Sequence, residues 1–509
     1  MIDRALRRHY SRRTFHKTAL AGAAVIAAPI AGRPSPVSAS QGTAMPMAGV
    51  PDALFAELDA FVGERMAALK IPGASIGVIA GNQEHAAGFG VTNLDHPLPV
   101  DADTLFQIGS TTKTYTGTAV MRLVEQSALD LDAPVRTWLP EFRVADPDVS
   151  ANVRLRHLLT HSGGWLEPAV VETGDGDDAL ARFVAGMADL PQTAPLGEYF
   201  SYSNAGLCLA GRVIEAVTGQ TYEAAIRELV LQPLGIERAS FTAEEIMTEA
   251  FAVGHGAPPD DPDGAPVVLQ PWALPRLLNP AGGLVASVSD ELRYALFLLG
   301  DGTMDGTRIL RAEGLRRMQT PLGPGGTVPA LPVPFDAVGV TWQLWQRDGT
   351  RVLSHPGGTN GQMSTLSLVP ERGFAVTLLT NAVRGIQLGF EVTDWALEQF
   401  LGLRQPPPAI VPVDRALRAE YASEYALPDG SQTIRVREED GALRLEASGP
   451  GLAEILFGQP TIESPLRFVA GDRARVEFLW LTALTDFVRD DVGKVAWVRF
   501  IGRLVPRTG

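Results

Sequence analysis

A serine and a lysine stand three residues apart in residues 108–115, which read Ile-Gly-Ser-Thr-Thr-Lys-Thr-Tyr. If a helix begins near Gly109, Ser110 and Lys113 share one of its faces, with Cβ atoms about 5–6 Å apart. The lysine could then take the proton of the serine. The N–H groups and positive dipole end of the helix would stabilise an oxyanion on an attacked substrate. The pair therefore predicts a nucleophile with a neighbouring base.

Lysine is rare in this chain, which makes the pair more specific than its short spacing suggests. Only four of the 43 lysine and arginine residues are lysines, namely Lys17, Lys70, Lys113 and Lys494. The pattern Ser-x-x-Lys therefore occurs once. The alternative interpretation is that Lys113 is an ordinary solvated residue of a helix. Other parts of the chain must decide between the two.

The apolar patterns on both sides of this pair predict one sheet built from distant parts of the chain. Residues 52–69 show a helical stripe, and a hairpin follows around Gly81-Asn82. Residues 111–314 are mostly helical and rich in loops. Strands are predicted at 74–80, 84–91, 340–345, 351–355, 362–369 and 374–380, and further helices at 154–160, 207–217 and 391–401. This order of elements indicates an α/β (α+β) fold.

The run Gln405-Pro406-Pro407-Pro408 marks a boundary, because three prolines continue neither a helix nor a central strand. We expect a catalytic domain at 40–402, a proline-rich linker at 403–413 and a small antiparallel β-domain at 414–509. Alternating apolar residues support the β-domain. Its clearest strand patterns are at 434–437, 443–446, 475–480 and 494–501.

Residues 1–39 are similar to a twin-arginine signal peptide. Arg12 and Arg13 precede an uncharged, alanine-rich run, and small residues follow it. Cleavage after Ala31 and cleavage after Ala39 both fit, and an amphipathic first helix is the alternative. The pattern predicts export to the periplasm or the extracellular space.

The charge and the cysteine usage agree with an exported protein. Loss of residues 1–39 removes seven basic residues and Asp3, which changes the formal net charge from −15 to −21. So acidic a protein is not expected to bind nucleic acid or an anionic membrane surface. Beyond the N-terminus no apolar run is long enough to span a bilayer. Cys208 stands alone, which excludes an intramolecular disulfide.

Two other patterns resemble functional sites but lack the context for them. Residues 73–77 match the Gly-x-Ser-x-Gly nucleophile elbow around Ser75, but a predicted helix precedes them and a strand follows, the reverse of an elbow. His157 and His161 have the spacing of a zinc-binding helix. No third ligand is evident, so structural histidines and no metal site are expected.

Two further segments accompany the Ser-x-x-Lys pattern. Tyr202-Ser203-Asn204 is the only Tyr-x-Asn sequence, and His355-Pro356-Gly357-Gly358 ends a predicted strand. With Ser110 and Lys113 they resemble the three motifs of the penicillin-recognising serine hydrolases, the family of class C β-lactamases, D-Ala-D-Ala carboxypeptidases, D-aminopeptidases and related esterases. The resemblance covers about residues 52–402.

The resemblance implies a fold, a mechanism and a set of site residues. The fold would be β-lactamase/transpeptidase-like, an antiparallel sheet flanked by helices with an all-helical subdomain. The enzyme, which needs no cofactor, would acylate Ser110 with a small-molecule or peptide substrate. Lys113 and Tyr202 are both candidates for the general base. Asn204, His355 and Gly357 would bind and orient the substrate, and the N–H groups of Ser110 and Gly358 would form the oxyanion hole.

One position departs from the family pattern. His355 aligns with the lysine of the usual Lys-Thr-Gly strand motif, and histidine is mostly neutral near pH 7. We therefore expect an ester or a D-configured peptide or amide substrate without an essential carboxylate. The alternatives are β-lactamase or D-Ala-D-Ala carboxypeptidase activity, or an inactive protein that binds cell-wall peptide.

Overall fold

The structure is a computed structural model that describes residues 25–27, 49–170, 172–258, 261, 263–328, 330–406, 408–449, 461–478 and 481–509, of which 25–27 and 330–332 are described by their backbone alone. Arg12 and Arg13 of the expected signal peptide, and Trp480 of an expected strand, lie outside the described residues.

Residues 73–380 contribute the eight strands of an antiparallel sheet, here called the central sheet. Its spatial order is Gly323–Gly326, Phe335–Val338, Gln343–Arg347, Thr350–Gly358, Met363–Val369, Phe374–Thr380, Gly73–Ala80 and Gln83–Gly90. Strand Phe374–Thr380 pairs with Gly73–Ala80, and Val376 lies opposite Val78. The sheet therefore joins distant parts of the chain, as the sequence predicts.

Helices cover both faces of this sheet, so its middle strands are buried along their whole length. Val376 and Leu378 pack with helices Asp52–Leu69 and Gly385–Leu401 on one face. Alternate residues such as Leu379 face helix Val288–Leu299 on the other. The strands are thus held in the interior, and their ends are available for a site.

A helical subdomain lies between the two groups of strands in the chain. Its first helix, Thr112–Glu125, is buried along most of its length. The other helices between residues 130 and 320, besides Val288–Leu299, are Pro147–Asn152, Leu155–Leu159, Ala179–Gly186, Asn204–Thr218, Tyr222–Ile226, Gln232–Leu234, Ala243–Ile246, Asn279–Gly282 and Ala312–Met318. Within the described ranges no helix has the length and apolar character to cross a membrane.

Short elements connect these parts. Two-stranded pairs join Val25–Ala27 to Ala330–Val333, Phe106–Gln107 to Val285–Ala286, His255–Gly256 to Val267–Val268, and Thr303–Met304 to Thr307–Arg308. Single 3₁₀ turns occur at Gly109–Thr111, Val135–Thr137, Met187–Asp189, Arg276–Leu278 and Pro370–Arg372, and a π-helical turn at Arg227–Leu231.

After helix Arg415–Tyr421 the chain forms a second antiparallel sheet of eight strands, the C-terminal sheet. Its strands are Ser423–Ala426, Thr433–Glu439, Ala442–Ser448, Thr461–Ala470, Arg473–Phe478, Leu481–Arg489, Val495–Phe500 and Arg503–Pro506. Each strand pairs with the next, and a bridge from Tyr425 to Arg507 brings the first and last together. Buried and partly exposed residues alternate along Arg473–Phe478, so this sheet encloses a core on one face only.

Several predicted elements are confirmed and others are wrong in their bounds. Helix Asp52–Leu69 and strand Phe374–Thr380 agree with the sequence patterns. The strand predicted at 340–345 is wrong: it runs from Gln343 to Arg347, because Thr341 has φ +67° and cannot lie in a regular strand. The edge strand Gly323–Gly326 and its neighbour Phe335–Val338 have no counterpart among the predictions. Helix Gly385–Leu401 begins six residues before its predicted start at 391.

Candidate active site

The predicted serine and lysine are in direct contact. The 3₁₀ turn Gly109–Thr111 leads into helix Thr112–Glu125, and both Ser110 and Lys113 are buried. Lys113 Nζ lies 2.9 Å from Ser110 Oγ. Residues at i and i+3 of a helical segment face the same side, which accounts for this contact.

Two further oxygen atoms surround the Lys113 amine. Nζ donates to Asn204 Oδ1 at 2.8 Å and to the carbonyl oxygen of Ala281 at 2.5 Å. Burial lowers the pKa of Lys113 to about 7. About half of a group with that pKa is neutral at pH 7, and a neutral amine has a lone pair that can accept a proton.

Tyr202 stands over the same amine. The Lys113 Nζ lies 5.0 Å from the centre of the Tyr202 ring, and that ring also stacks on His161 at 4.4 Å between centres. Burial raises the pKa of Tyr202, against a smaller lowering by the neighbouring Ser110 hydroxyl. The tyrosine is therefore a neutral phenol at pH 7, beside the nucleophile.

The end of strand Thr350–Gly358 forms the opposite wall. Its neighbour Gln343–Arg347 pairs with it only as far as Ser354. The edge from His355 onward is therefore released from that neighbour and lies beside the nucleophile, where Thr111 Oγ1 donates to the His355 carbonyl oxygen at 3.2 Å. This arrangement leaves a strand edge along which an extended substrate could lie.

Two glycines allow the strand and the nucleophile to approach closely. A Cβ at Gly109, whose φ is +52°, would lie 2.4 Å from Gly358 N. A Cβ at Gly357 would lie 1.9 Å from the Ile108 carbonyl oxygen and 2.8 Å from Ser110 N. Both positions therefore require glycine. The two amides assigned to the oxyanion hole, of Ser110 and Gly358, consequently lie on directly opposed backbones.

His355 itself is buried and neutral. Burial, together with the nearby charge of Lys113, lowers the pKa of His355 to about 3. Its Nδ1 lies 2.8 Å from the Pro356 carbonyl oxygen, which can only accept, so Nδ1 carries the hydrogen. Its Nε2 is buried and has no hydrogen-bond partner in the part of the chain that the structure describes. The ring offers a lone pair where the family pattern has a cation.

The two look-alike patterns lie elsewhere. Ser75 is in the middle of a central strand, where its hydroxyl donates to the Asp101 carbonyl oxygen at 3.1 Å. His157 Nδ1 accepts from the Arg154 N–H at 3.1 Å, and His161 is the residue stacked on Tyr202. Among the described residues no group of three His, Cys, Asp or Glu side chains is arranged to hold a metal ion.

Three contacts of the site have no counterpart among the sequence predictions. The Ala281 carbonyl accepts from Lys113, Glu167 accepts from the Asn204 N–H at 2.9 Å, and the Tyr202 N–H donates to the Gly502 carbonyl at 2.8 Å. Two of these use backbone carbonyls, which leave no signature in a sequence. Glu167 follows Gly163-Gly164-Trp165, and no spacing rule connects it to Asn204.

Comparison with known proteins confirms the family resemblance. The family model described as Beta-lactamase matches residues 58–399. Penicillin-binding protein 4 of Amycolatopsis lactamdurans is 35% identical over 378 residues, which are 72% of this chain and 98% of that protein. Esterase EstB of Burkholderia gladioli is 33% identical over 273 residues, which are 47% of this chain and 69% of that protein.

A solved structure matches both sheets. The crystal structure of SurE with D-Leu aligns with a TM-score of 0.69 at 25% identity, over 90% of this chain and 100% of that one. The match covers most of the helices and strands described above. The chain belongs to the Beta-lactamase family.

Proposed function

We propose that the protein is a serine hydrolase that forms an acyl-Ser110 intermediate and cleaves an ester or a D-configured peptide or amide bond. The contact that carries this proposal is the 2.9 Å approach of Lys113 Nζ to Ser110 Oγ. In a site that lowers the pKa of the lysine to about 7, this contact joins a nucleophile to a base.

The geometry supports Lys113 as the general base of acylation. Neutral Lys113 takes the Ser110 proton while Oγ attacks the substrate carbonyl, and the N–H groups of Ser110 and Gly358 stabilise the oxyanion. Tyr202, a neutral phenol, is suited to give its proton to the leaving amine or alkoxide and to receive one back from Lys113. Water then attacks the acyl carbonyl and gives its proton to Tyr202, while Tyr202 passes a proton to Lys113 and Lys113 returns one to Ser110 Oγ.

The neutral His355 supports a substrate without an essential carboxylate. A permanent cation at this position would pair with a carboxylate, whereas the His355 ring offers only an acceptor at Nε2. The esterase among the relatives and the SurE structure with D-Leu favour ester and D-configured substrates respectively.

A β-lactamase or D-Ala-D-Ala carboxypeptidase is the second candidate, since penicillin-binding protein 4 is matched over 98% of its length. A side-by-side assay of p-nitrophenyl esters, D-amino-acid p-nitroanilides and nitrocefin separates the candidates. We expect turnover of the first two and slow reaction of the third. Rapid nitrocefin turnover would contradict the assignment of His355.

A labelling experiment tests the mechanism itself. Incubation with a fluorophosphonate should add mass at Ser110 of the wild type and none to Ser110→Ala. A folded wild-type protein without an adduct would contradict the mechanism and favour an inactive protein that binds cell-wall peptide.

We also propose that residues 1–39 direct export through the twin-arginine pathway, with 40–402 as the hydrolase domain, 403–413 as a linker and 414–509 as the β-domain. Fusion of residues 1–45 to a reporter that must fold before export tests whether this segment is a twin-arginine signal peptide. We expect export of the fusion, and its loss when Arg12 and Arg13 are both changed to lysine.

A further inference from the structure

The C-terminal sheet reaches the catalytic tyrosine through the turn between its last two strands, Val495–Phe500 and Arg503–Pro506. The Tyr202 N–H donates to the Gly502 carbonyl at 2.8 Å, and Arg503 Nε donates to the Tyr202 carbonyl at 3.3 Å. Both backbone groups of Tyr202 are therefore held by a segment about 300 residues further along the chain.

Neighbouring residues extend this contact. Leu504 N donates to Ser201 Oγ at 3.2 Å, and Arg499 Nε donates to the Phe200 carbonyl oxygen at 3.1 Å. Arg499 is itself paired with Asp486, and both are almost fully buried. The segment that precedes Tyr202 is thus fixed to the C-terminal sheet residue by residue.

Glu167 connects this turn to Asn204, the last residue of the Tyr-x-Asn motif. Its Oε1 lies 3.8 Å from the Arg503 guanidinium and accepts from the N–H groups of Asn204 at 2.9 Å and Ala205 at 3.3 Å. These N–H groups begin helix Asn204–Thr218, where a carboxylate also complements the helix dipole. The Glu167 side chain is only 9% exposed.

The same two charges act on the catalytic amine. Burial is the main cause of the lowered pKa of Lys113; Cys208 and Glu167 oppose it, and Arg503 adds to it. In the described part of the chain, Lys113 also faces Tyr202 and the neutral rings of His161 and His355. Glu167 and Arg503 therefore influence the base in opposite directions.

We infer that the turn at residues 501–503 and Glu167 together form a positioning element for Tyr202 and Asn204, so that the C-terminal sheet is a working part of the active site. The inference rests on the proposed function, in which Tyr202 and Asn204 act around acyl-Ser110. A displacement of about 1 Å in a catalytic group can cost about 100-fold in rate, so a brace on both sides of Tyr202 has a direct effect on catalysis.

Full-length Glu167→Gln and Arg503→Gln test this element, with Arg435→Gln as the matched control. Arg435 is an exposed ion-pair residue of the same sheet, bound to Glu424 and Glu446. The measurement is the rate of Ser110 labelling by a fluorophosphonate across pH, with the thermal unfolding midpoint of each variant. We expect labelling about 10- to 100-fold slower in both site variants and unchanged in the control.

The pH profile distinguishes positioning within the site from general support of the fold. Labelling requires neutral Lys113, so its rate rises with pH through the lysine pKa. Loss of the Arg503 cation should move this rise to higher pH, and loss of the Glu167 anion should move it to lower pH. Arg503→Lys keeps the charge, so it should keep the wild-type profile and recover part of the rate.

The outcomes separate the two levels of the proposal. A wild type that takes no label at Ser110 contradicts the proposed function, and the positioning role with it. A labelled wild type whose Glu167 and Arg503 variants react at its own rate, with no shift in the profile, contradicts only the positioning role. If a glutamine variant does not fold, Arg503→Lys alone decides: wild-type rate in it contradicts the role, and a reduced rate with an unshifted profile supports it.

Discussion

Two nitrogen bases face each other across the site, and the structure treats them differently. Lys113, on helix Thr112–Glu125, is hydrogen-bonded to Ser110 and has a pKa near 7. His355, at the end of a central strand, donates from Nδ1 to the carbonyl oxygen of the next residue, Pro356, and has a pKa near 3. Burial lowers both values, but only lysine starts high enough to arrive near neutrality. We therefore expect Lys113 to exchange protons during the proposed reaction, and His355 to contribute only shape and a hydrogen-bond acceptor.

The largest effect is expected from Lys113→Met, a variant that tests whether Lys113 is the only base of the site. Lys113→Met removes the proton acceptor but keeps most of the volume, and Ser110 labelling should fall about 10³- to 10⁴-fold. His355→Gln, which remains neutral and polar, is the matched control and should cost far less. Similar losses in the two variants, measured as labelling rates on folded protein, would remove the distinction between the two bases.

A pH titration sharpens the comparison with an intermediate effect. The pKa of Lys113 is depressed, so its neutral form dominates above pH 7 and disappears below it. Between pH 7 and pH 5 the acylation rate should fall about 50-fold. His355 does not titrate in this range. A labelling rate that is flat from pH 5 to 7, or that rises only near pH 10, would show that Lys113 is not the base in the form proposed.

The smallest expected effect concerns the choice of substrate. His355→Lys restores a cation at this wall, so acylation by nitrocefin, which carries a carboxylate, should improve about tenfold relative to a p-nitrophenyl ester. The new charge should also lower the pKa of Lys113 and move the pH profile to lower pH. An unchanged ratio of the two substrates in His355→Lys would mean that this position does not select for the carboxylate.

The sequence predicts the parts of the fold and site that depend on local pattern. The stripe of Asp52–Leu69 and the apolar run Phe374–Thr380 define their elements from their own residues. Strand Gly323–Gly326 has no apolar alternation, since it consists of three glycines and a proline and exists through pairing with Phe335–Val338. Its prediction would require knowledge of its partner.

The same division applies to the site. Ser110 and Lys113 are three residues apart, so helical geometry alone brings them together. Glu167 and Gly502 reach Asn204 and Tyr202 through tertiary contacts between separate elements, and one of those contacts uses only backbone atoms. No residue type or spacing in the sequence signals such a contact.

The hydrogen bond between Tyr202 and Gly502 has a consequence for biosynthesis. The ribosome makes Gly502 300 residues after Tyr202. A nascent chain that has already folded its central sheet still lacks the turn that we propose positions the tyrosine. Full hydrolytic activity would then appear only when the C-terminal sheet has been made and has docked. A partly synthesised chain would act on the ester and amide bonds around it about 10- to 100-fold more slowly than the finished protein.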